Sequence, residues 1–351
     1  MDGYWYYFDK TGNSIFDGTE TIDGKLYFFD VDGRMLTGWI KDGDTWYYAN
    51  AGGDLATGWL QSGTTWYYMD PATGEMQTGF VTVGSAKYYM APSGAMMTGW
   101  IKDNDNWYFA NGSGAIQTGW VKSGTTWYYM DSEGVMQTGW LTISGAKYYM
   151  AASGAMQTGW VKDGDNWYYM AASGAMTTGW VKVGNSWYYM NTGGVMQTGG
   201  VKVGNSWYYM NASGAMQTGW VKVGNFWYYM NASGAMQTGW VKIGSTWYYM
   251  NASGAMQTGW LQLGGNEYFF NSSGAMQTGW AKKSNGIWYY AKSDGTMREA
   301  FVRSVNSNIV HKQDCHYAEQ ISSKNLQYLT DDAATLRSNG YRSCTDCHSL
   351  D

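Results

Sequence analysis

Residues 238–257 read TGWVKIGSTWYYMNASGAMQ, and this stretch recurs almost letter for letter every 20 residues. A unit of this size is too small to bury a hydrophobic core alone, so its copies must stack on their neighbours. The period therefore predicts a solenoid of short repeats.

Each unit is predicted to be a β-hairpin. Residues 247–250 (WYYM) favour a strand, residues 251–254 (NASG) have turn chemistry, and residues 255–257 (AMQ) lead back as the second strand. Residues 241–245 are expected to form a polar link to the next unit. Because successive side chains of a strand point to opposite faces, both faces of the hairpin are aromatic or apolar, as stacking on both sides requires.

The composition is typical of a repetitive aromatic β-protein. The 351 residues include 31 tyrosines, 22 tryptophans, 23 methionines and 49 glycines, whereas only 14% are charged. The net charge of −5 weighs against a nucleic-acid partner and favours a cationic one. No run of 18 apolar residues is present to span a membrane, and no signal segment opens the chain. Since residues 5–8 (WYYF) already read as a hairpin strand, just after Met1, we expect the chain to be a fragment of a longer protein.

Two tryptophans mark most repeats, one after a glycine and one seven residues later. The complete pairs are Trp39 with Trp46, Trp59 with Trp66, Trp100 with Trp107, Trp120 with Trp127, Trp160 with Trp167, Trp180 with Trp187, Trp220 with Trp227, and Trp240 with Trp247. Trp280 and Trp288 form a ninth pair, with one extra residue in the link. The incomplete units hold Glu20 and Leu26, Phe80 and Lys87, Trp140 and Lys147, Gly200 and Trp207, and Trp260 and Glu267, spaced 60 residues apart.

Every third repeat is thus incomplete, and random loss would not keep this phase. A superhelix with about three hairpins per turn would place these units on one side. Descent from a triplicated 60-residue ancestor is the alternative, and it also predicts a threefold period.

The paired tryptophans have the chemistry of a cation box. Aromatic faces attract a bulky methylated cation such as a quaternary ammonium group. The alternative is that these tryptophans are simply core. Tyrosines such as Tyr88, Tyr89 and Tyr149 persist where the pair is lost, which separates a scaffold set from a dispensable set and favours a ligand.

The motif TGWVK-x4-WYYMNASGAMQ resembles the choline-binding repeat of Gram-positive surface proteins and phage lysins, over residues 1–298. In that family each site lies between consecutive hairpins, and a tyrosine of the next unit and a nearby methionine complete it. The resemblance therefore implies choline cages formed by Trp39, Trp46 and Tyr67; by Trp59, Trp66 and Tyr88; by Trp100, Trp107 and Tyr128; by Trp120, Trp127 and Tyr148; by Trp160, Trp167 and Tyr188; by Trp180, Trp187 and Tyr208; by Trp220, Trp227 and Tyr248; and by Trp240, Trp247 and Tyr268, with Trp280 and Trp288 as the last pair.

An incomplete repeat still closes the preceding cage with its tyrosine. Lys147 replaces the second tryptophan beside Trp140. Its ammonium group either repels choline or partly fills the vacant box, and the alternative is an ordinary exposed lysine.

The resemblance implies attachment to phosphocholine on the teichoic acid of a bacterial wall, by a secreted or surface-bound protein. Many weak cages on one chain would gain affinity from a polymeric ligand. Two alternatives stay open, a glucan-binding or other carbohydrate-binding repeat and the binding part of a wall lysin whose catalytic domain is missing. The repeats contain no histidine and no apparent catalytic set, so no enzymatic activity is expected. Dimerisation is left open.

Residues 299–351 are predicted to form a separate small α+β module, since all three cysteines and all three histidines lie there. His311-x3-Cys315 and Cys344-x2-Cys347 have the two-plus-two spacing of a tetrahedral zinc site. A module of this size needs such a staple. Disulfides are the alternative, but three cysteines leave one unpaired. A helix is expected over residues 333–338, after a start signal at residues 330–332.

The segments HKQDCHYAEQI and GYRSCTDC resemble the metal-binding domain of the Ada DNA-repair protein and of C-terminal tails of secreted nucleases. In Ada all four ligands are cysteines and the first accepts a methyl group. His311 stands at that position here, which weighs against methyl transfer. From Phe301 onward five basic residues face six acidic ones, which weighs against DNA binding. The resemblance implies a zinc-stabilised cap or adaptor.

Overall fold

The computed structural model describes residues 3–351, which consist mainly of two-stranded antiparallel hairpins. Met1 lies outside the described residues. The chain divides into two compact units, of which the first ends at Thr177 and the second begins at Thr178. The all-β class and the repeated hairpins predicted from the sequence are confirmed. The module boundary at residue 298 and the three repeats per turn stay predictions.

Eight hairpins lie in the first unit. They are β1 (Gly18–Ile22) with β2 (Lys25–Phe29), β3 (Gly38–Asp42) with β4 (Thr45–Ala49), β5 (Gly58–Ser62) with β6 (Thr65–Met69), β7 (Gly79–Val83) with β8 (Ala86–Met90), β9 (Gly99–Asp103) with β10 (Asn106–Ala110), β11 (Gly119–Ser123) with β12 (Thr126–Met130), β13 (Gly139–Ile143) with β14 (Ala146–Met150), and β15 (Gly159–Asp163) with β16 (Asn166–Met170).

The second unit continues the same pattern. Its hairpins are β17 (Gly179–Val183) with β18 (Ser186–Met190), β19 (Gly199–Val203) with β20 (Ser206–Met210), β21 (Gly219–Val223) with β22 (Phe226–Met230), β23 (Gly239–Ile243) with β24 (Thr246–Met250), β25 (Gly259–Leu263) with β26 (Asn266–Phe270), and β27 (Gly279–Lys282) with β28 (Trp288–Ala291). Strand β29 (Met297–Glu299) joins β26 to β28, so that the last two hairpins form one five-stranded sheet.

The structure corrects the pairing within the repeat. Strand β24 pairs with β23, whose last residues belong to the predicted polar link, and not with residues 255–257. Gly244 and Ser245 form the turn between these strands, and Gly244 has the positive φ (62°) that a tight hairpin turn requires. Residues 255–257 make a single bridge, Met250 to Met256. The prediction failed because the alternation of Trp240, Val241 and Lys242 is itself a strand pattern.

The strand predicted at residues 5–8 is also wrong. Phe8 makes only an isolated bridge to Ser14. The carbonyl oxygens of Tyr7 and Trp5 accept hydrogen bonds from the amides of Ile15 (3.1 Å) and Met35 (2.8 Å), but among the described residues no second strand pairs with this segment.

Backbone hydrogen bonds join consecutive repeats. Asn251 Oδ1 accepts hydrogen bonds from the amides of Ser253 (2.9 Å) and Ala255 (3.0 Å), which fixes the turn after β24. The amide of Met256 then donates to the carbonyl oxygen of Trp227 in the preceding hairpin (2.8 Å). Equivalent bonds of 2.7–2.8 Å connect other neighbouring repeats within each unit. The second tryptophan of a repeat is therefore tied through its backbone to the next repeat.

Methionines fill the space between stacked hairpins. Met250, at the end of β24, is fully buried, as are its equivalents Met130 and Met210. Met236, on a return segment, packs against the turn glycine Gly254, where an added Cβ would lie 2.5 Å from the methionine sulfur atom. Methionine suits this role because its flexible side chain fits irregular gaps.

The C-terminal region contains β30 (Phe301–Ser304), β31 (Ile309–Val310), α1 (His316–Glu319), β32 (Leu326–Leu329), α2 (Ala333–Ser338) and β33 (Arg342–Ser343). Strands β30 and β32 are antiparallel, whereas β31 and β33 are parallel. Helix α2 is the helix predicted from the sequence, and Asp332 caps it by accepting a hydrogen bond from the amide of Thr335 (2.8 Å). None of the helices in residues 3–351 is long and apolar enough to cross a membrane.

Replacing Gly254 by alanine should destabilise the repeat by about 0.5–1.5 kcal/mol more than replacing Gly244, because only the first change forces the Met236 side chain out of its rotamer. Both glycines have positive φ, so strain in the backbone is common to the two variants. No heavy atom lies within 4 Å of the Cβ position at Gly244. Thermal unfolding of Gly254→Ala and Gly244→Ala checks this, and equal losses would contradict the packing described.

Candidate functional site

Aromatic clusters lie between consecutive hairpins. In one of them the rings of Trp120 and Trp127 are 6.3 Å apart and nearly perpendicular, at 89°. Tyr148 of the next hairpin lies 4.9 Å from Trp120. Together with Met156 and with Ser173 of the turn two hairpins on, they line an open hollow of about 310 Å³. Three aromatic walls and a thioether therefore surround one space.

This geometry is repeated throughout both units. The two tryptophan rings are 6.1–6.4 Å apart with interplanar angles of 81–89°, and the tyrosine ring is 4.6–4.9 Å from the first tryptophan. The sets with this geometry are Trp39, Trp46 and Tyr67; Trp59, Trp66 and Tyr88; Trp100, Trp107 and Tyr128; Trp120, Trp127 and Tyr148; Trp180, Trp187 and Tyr208; Trp220, Trp227 and Tyr248; and Trp240, Trp247 and Tyr268.

One predicted set spans the two units. Trp160 and Trp167 form the same pair as the others, with ring centroids 6.2 Å apart. Tyr188 lies in the second unit, so its place in this cage stays a prediction.

The two faces of one hairpin serve two cages. Trp240, Trp247 and Tyr249 share one face of the hairpin formed by β23 and β24, because Trp240 is the cross-strand partner of Tyr249. Tyr248 lies on the opposite face and contacts Trp220 of the preceding repeat (4.9 Å). Each hairpin therefore supplies two tryptophans to one aromatic cluster and a tyrosine to the preceding one, the arrangement that the resemblance implies.

In most pairs the second tryptophan is the more exposed one, whereas Trp240 and Trp247 are equally exposed (38%) and Trp280 (45%) is more exposed than Trp288. Trp127 is 40% exposed, and among the described aromatic rings it contacts that of Trp120. Trp120 is only partly exposed and also contacts Tyr129 (5.2 Å) and Tyr148 (4.9 Å). The first tryptophan thus makes more ring contacts than the second, whose ring is approached by the ammonium group of Lys122 at 5.8 Å from the Trp127 centroid.

The cages nearer the N-terminus have the same division between exposed and packed walls. The second tryptophans Trp46, Trp66 and Trp107 are 37%, 40% and 40% exposed. The closing tyrosines Tyr67 and Tyr128 are only partly exposed, because each packs against the first tryptophan of the preceding repeat, at 4.8 and 4.6 Å. The structure therefore brings these predicted walls together, and their role as choline ligands stays a prediction.

The incomplete repeats differ from one another. Gly200 leaves a hollow of about 210 Å³ beside Trp207, Tyr209 and Tyr228. Lys147 is exposed, and no cation–π contact of its ammonium group occurs among the residues that the structure describes. Of the alternatives for Lys147, the geometry favours the ordinary exposed lysine.

The last pair has a wall that the sequence did not reveal. Trp280 and Trp288 are 6.3 Å apart, and Tyr328 of β32 lies 5.7 Å from Trp280 and 6.4 Å from Trp288. Tyr328 stands outside the repeats, so no periodic signal marks it. It occupies the place that a tyrosine of a following hairpin takes in the other cages.

The four predicted metal ligands are brought together. One ligand atom from each of His311, Cys315, Cys344 and Cys347 lies within 4.8 Å of the other three. Cys315 and Cys344 are buried, and all three thiols are free. Three sulfurs and one imidazole nitrogen at such distances fit a tetrahedral zinc ion, which prefers thiolate and imidazole ligands.

Parallel pairing of β31 and β33 explains how distant residues meet. Val310 is the partner of Ser343 in this pairing, and the amide of Cys344 donates to the carbonyl oxygen of Val310 (3.1 Å). His311 and Cys344 follow these partners directly along each strand. The ligands are 33 residues apart in the chain but are held at one edge of the module.

His311 is suited to bind a metal. Desolvation by burial, and then the neighbouring His316, lower the pKa of His311, which favours the neutral imidazole that a metal needs. His316 stacks on Tyr317 (3.9 Å between ring centroids), and His348 Nδ1 lies 2.8 Å from Asp351. Neither of these histidines belongs to the ligand cluster.

The family model described as "Choline-binding repeat" matches residues 16–57, 77–116, 138–178, 177–218, 217–258 and 257–300. The model described as "Putative cell wall binding repeat" matches residues 57–76 and 118–136. The chain belongs to the choline-binding repeat family. None of the matched ranges extends beyond residue 300, so the metal cluster lies outside the family repeats.

Solved structures of choline-binding proteins are similar to this choline-binding repeat protein. CbpJ from Streptococcus pneumoniae TIGR4 is 33% identical, and the match covers 74% of this chain and 99% of CbpJ with a TM-score of 0.50. Choline binding protein F from Streptococcus pneumoniae is 30% identical over 74% of this chain and 98% of its own, with a TM-score of 0.48. No curated protein matches the chain significantly. The aromatic clusters between hairpins fit choline binding, as the family predicts.

The two tryptophans of a cage should differ in their contribution to stability. Trp120→Ala should cost about 1–3 kcal/mol more than Trp127→Ala, because it removes two additional aromatic contacts worth about 0.5–1.5 kcal/mol each. Hydrogen exchange at the amides of residues 119–150 measures the local loss. Equal protection in both variants would contradict a structural role for the first tryptophan.

Proposed function

We propose that the chain is a non-catalytic anchor that attaches to a bacterial cell wall by binding phosphocholine groups of teichoic acid. The observation that supports this most directly is the common three-ring geometry of its cages. The proposed sites are the eight predicted sets and the last pair, Trp280 with Trp288, now completed by Tyr328.

The lining of the cages favours a quaternary ammonium ligand. The hollow at Trp180 is lined by Trp187, Tyr208, Met216 and small residues of a turn. The nearby ammonium group of Lys182 lies 6.0 Å from the Trp187 ring centroid, outside this lining. Ring faces attract a cation by about 0.5–2 kcal/mol each, and a methylated ammonium gives up its water more readily than a primary one. The apolar walls contact its methyl groups.

A carbohydrate ligand is the second candidate. Sugar hydroxyls require several hydrogen-bonding partners around a stacking ring. In the hollow at Trp120 the turn residue Ser173 is the one hydroxyl-bearing side chain besides Tyr148. This scarcity of polar partners is the reason to place choline ahead of glucan.

Attachment would depend on the number of cages. A single three-ring cage binds weakly, but linked cages meet a polymer at high effective concentration once the first is occupied. The chain needs no catalytic residues for this task. It would act outside the cell, as a secreted or surface protein and as the binding part of any enzyme fused to it.

We also propose that residues 299–351 are a zinc-stabilised cap on the last repeat. The side chain of Gln313 accepts a hydrogen bond from the amide of Trp288 (2.9 Å) and donates to the carbonyl oxygens of Trp288 (2.6 Å) and Ala300 (2.7 Å). Arg298 pairs with Asp332 (3.0 Å). A terminal repeat lacks a following neighbour, so such a cover is what a solenoid end requires. Zinc would bind His311, Cys315, Cys344 and Cys347 and staple this cover together.

Choline titrated into the full chain should fill about nine sites and raise the melting temperature by mass action. Trp247→Ala should lose one site, because one wall of a single cage is removed. Ethanolamine, a primary amine of the same chain length, serves as the control ligand and should bind much more weakly. Calorimetry with choline, ethanolamine and isomaltose measures this. Binding of isomaltose without choline would replace the choline proposal with the carbohydrate one.

The full chain, purified with zinc present, should retain one zinc ion per chain at the cluster in its C-terminal region. His311→Ala and Cys344→Ser should lose the metal, whereas His348→Ala should retain it, since His348 lies outside the cluster. Elemental analysis and thermal unfolding with and without a chelator provide the readout. A metal-free wild-type chain, or loss of zinc from His348→Ala, would contradict the assignment.

A further inference from the structure

The repeat that begins at Trp260 has an unusual cage. Its second position holds Glu267 in place of a tryptophan, and Tyr289 of the next hairpin closes it at 5.0 Å from Trp260. The walls are therefore two aromatic rings and one carboxylate. This combination attracts a cation more strongly than rings alone.

The ammonium group of Lys283 lies inside these walls. Its Nζ atom is 2.6 Å from Glu267 Oε1, 4.9 Å from the Trp260 ring centroid and 4.4 Å from the Tyr289 ring centroid. The side chains of Lys283 and Glu267 are only 24% and 27% exposed. These are the contacts that a ligand cation would make.

Strand alternation explains why Lys283 and not Lys282 enters this cage. Lys282 lies over Trp288 of its own repeat (5.4 Å), and the following residue points to the other face. At the position equivalent to Lys283, Ser123 accepts a hydrogen bond from Trp100 of the preceding repeat (3.2 Å). The position thus faces the preceding cage, and in this repeat alone it carries an ammonium group among the described hairpins. The link with one extra residue follows directly after it.

A second incomplete cage shows the same occupation. Lys87 Nζ lies 4.3 Å from the ring centroid of Phe80 and 5.8 Å from that of Tyr108. It also donates to the carbonyl oxygen of Glu133 (3.3 Å). Lys87 occupies a different position of the repeat from Lys283. An ammonium group therefore enters the Phe80 cage and the Trp260 cage from two unrelated positions.

We propose that Trp260, Glu267 and Tyr289 form a cation site whose resident cation is the ammonium group of Lys283, which closes this cage to choline. The inference rests on the proposed function of the other cages. It turns an apparently degenerate repeat into a binding site that the chain fills itself. The site would accept an external quaternary ammonium ion only when the lysine charge is removed.

The lysine is a strong competitor for two reasons. Desolvation lowers the pKa of Lys283, but its hydrogen bonds to Glu267 and Tyr289 outweigh this effect and hold the pKa above its ordinary value, so the group stays charged near pH 7. It is also tethered beside the site, which gives it a high effective concentration against a weakly bound free ligand. Choline therefore has little access to the native cage.

Crystal structures of wild type, Lys283→Met and Lys282→Met in saturating choline test the proposal. Choline is expected between Trp260 and Tyr289 in Lys283→Met, held by the uncompensated Glu267, and absent there in wild type and Lys282→Met. Calorimetry should show one additional site in Lys283→Met and none in Lys282→Met. Lys283→Gln retains a donor for Glu267 and provides a second variant if methionine disturbs the fold.

The cage at Trp240, Trp247 and Tyr268 in the same crystals is the internal control. If the Trp240 cage holds choline and the Trp260 cage of both Lys283 variants stays empty, the inference about Lys283 is overturned, whereas the proposed choline binding stands. Choline displacing Lys283 in wild type overturns it as well. If the Trp240 cage is also empty, the proposed function fails and the inference falls with it.

Discussion

The hydrogen bond between the amide of a return methionine and the carbonyl oxygen of the preceding second tryptophan determines the spacing of the repeats. Its length of 2.7–2.8 Å is nearly constant, so each hairpin lies at a similar distance from the next. The tyrosine ring of the following hairpin consequently meets the first tryptophan at 4.6–4.9 Å in every described cage of the complete repeats. The cages therefore depend on backbone bonding between repeats together with the packing of the first tryptophan and the buried methionines.

The two tryptophans of a pair differ in their packing, and this difference explains why the second position is replaced more often than the first in the incomplete repeats. Phe80, Trp140 and Trp260 keep the first aromatic ring and still contact a tyrosine of the next hairpin, at 4.8, 4.7 and 5.0 Å. Their second positions hold Lys87, Lys147 and Glu267 instead. Loss of the exposed ring costs little packing, whereas loss of the first would open the stack. Glu20 and Gly200 are the exceptions, and the hollow beside Gly200 shows what the loss of the first ring leaves.

The C-terminal region extends the repeat geometry with unrelated elements. Tyr328 takes the place of a repeat tyrosine beside Trp280, although it belongs to a strand paired with β30. Val302, Cys315, Ala318 and Cys344 form one small core, and Leu336 and Leu350 belong to a second. Cores of this size support little stability alone. A bound metal at one edge and the backbone bonds from Gln313 at the other would together hold the region in place.

The sequence by itself predicted a stack of β-hairpin repeats and the four clustered ligands, and its resemblance to a known repeat predicted the rings that meet in the described clusters. Each of these depends on a fixed spacing, either the 20-residue period or the paired Cys and His motifs. Only the tertiary structure decided that β23 pairs with β24. A segment of five residues that alternates apolar and polar side chains can be either a strand or a polar link, so the sequence does not distinguish the two. Likewise, Tyr328 and Lys283 acquire their roles from contacts that no period encodes. Contacts that recur with the 20-residue period can be counted from the sequence. Contacts at the last repeats depend instead on how the non-repeating part of the chain folds back onto them.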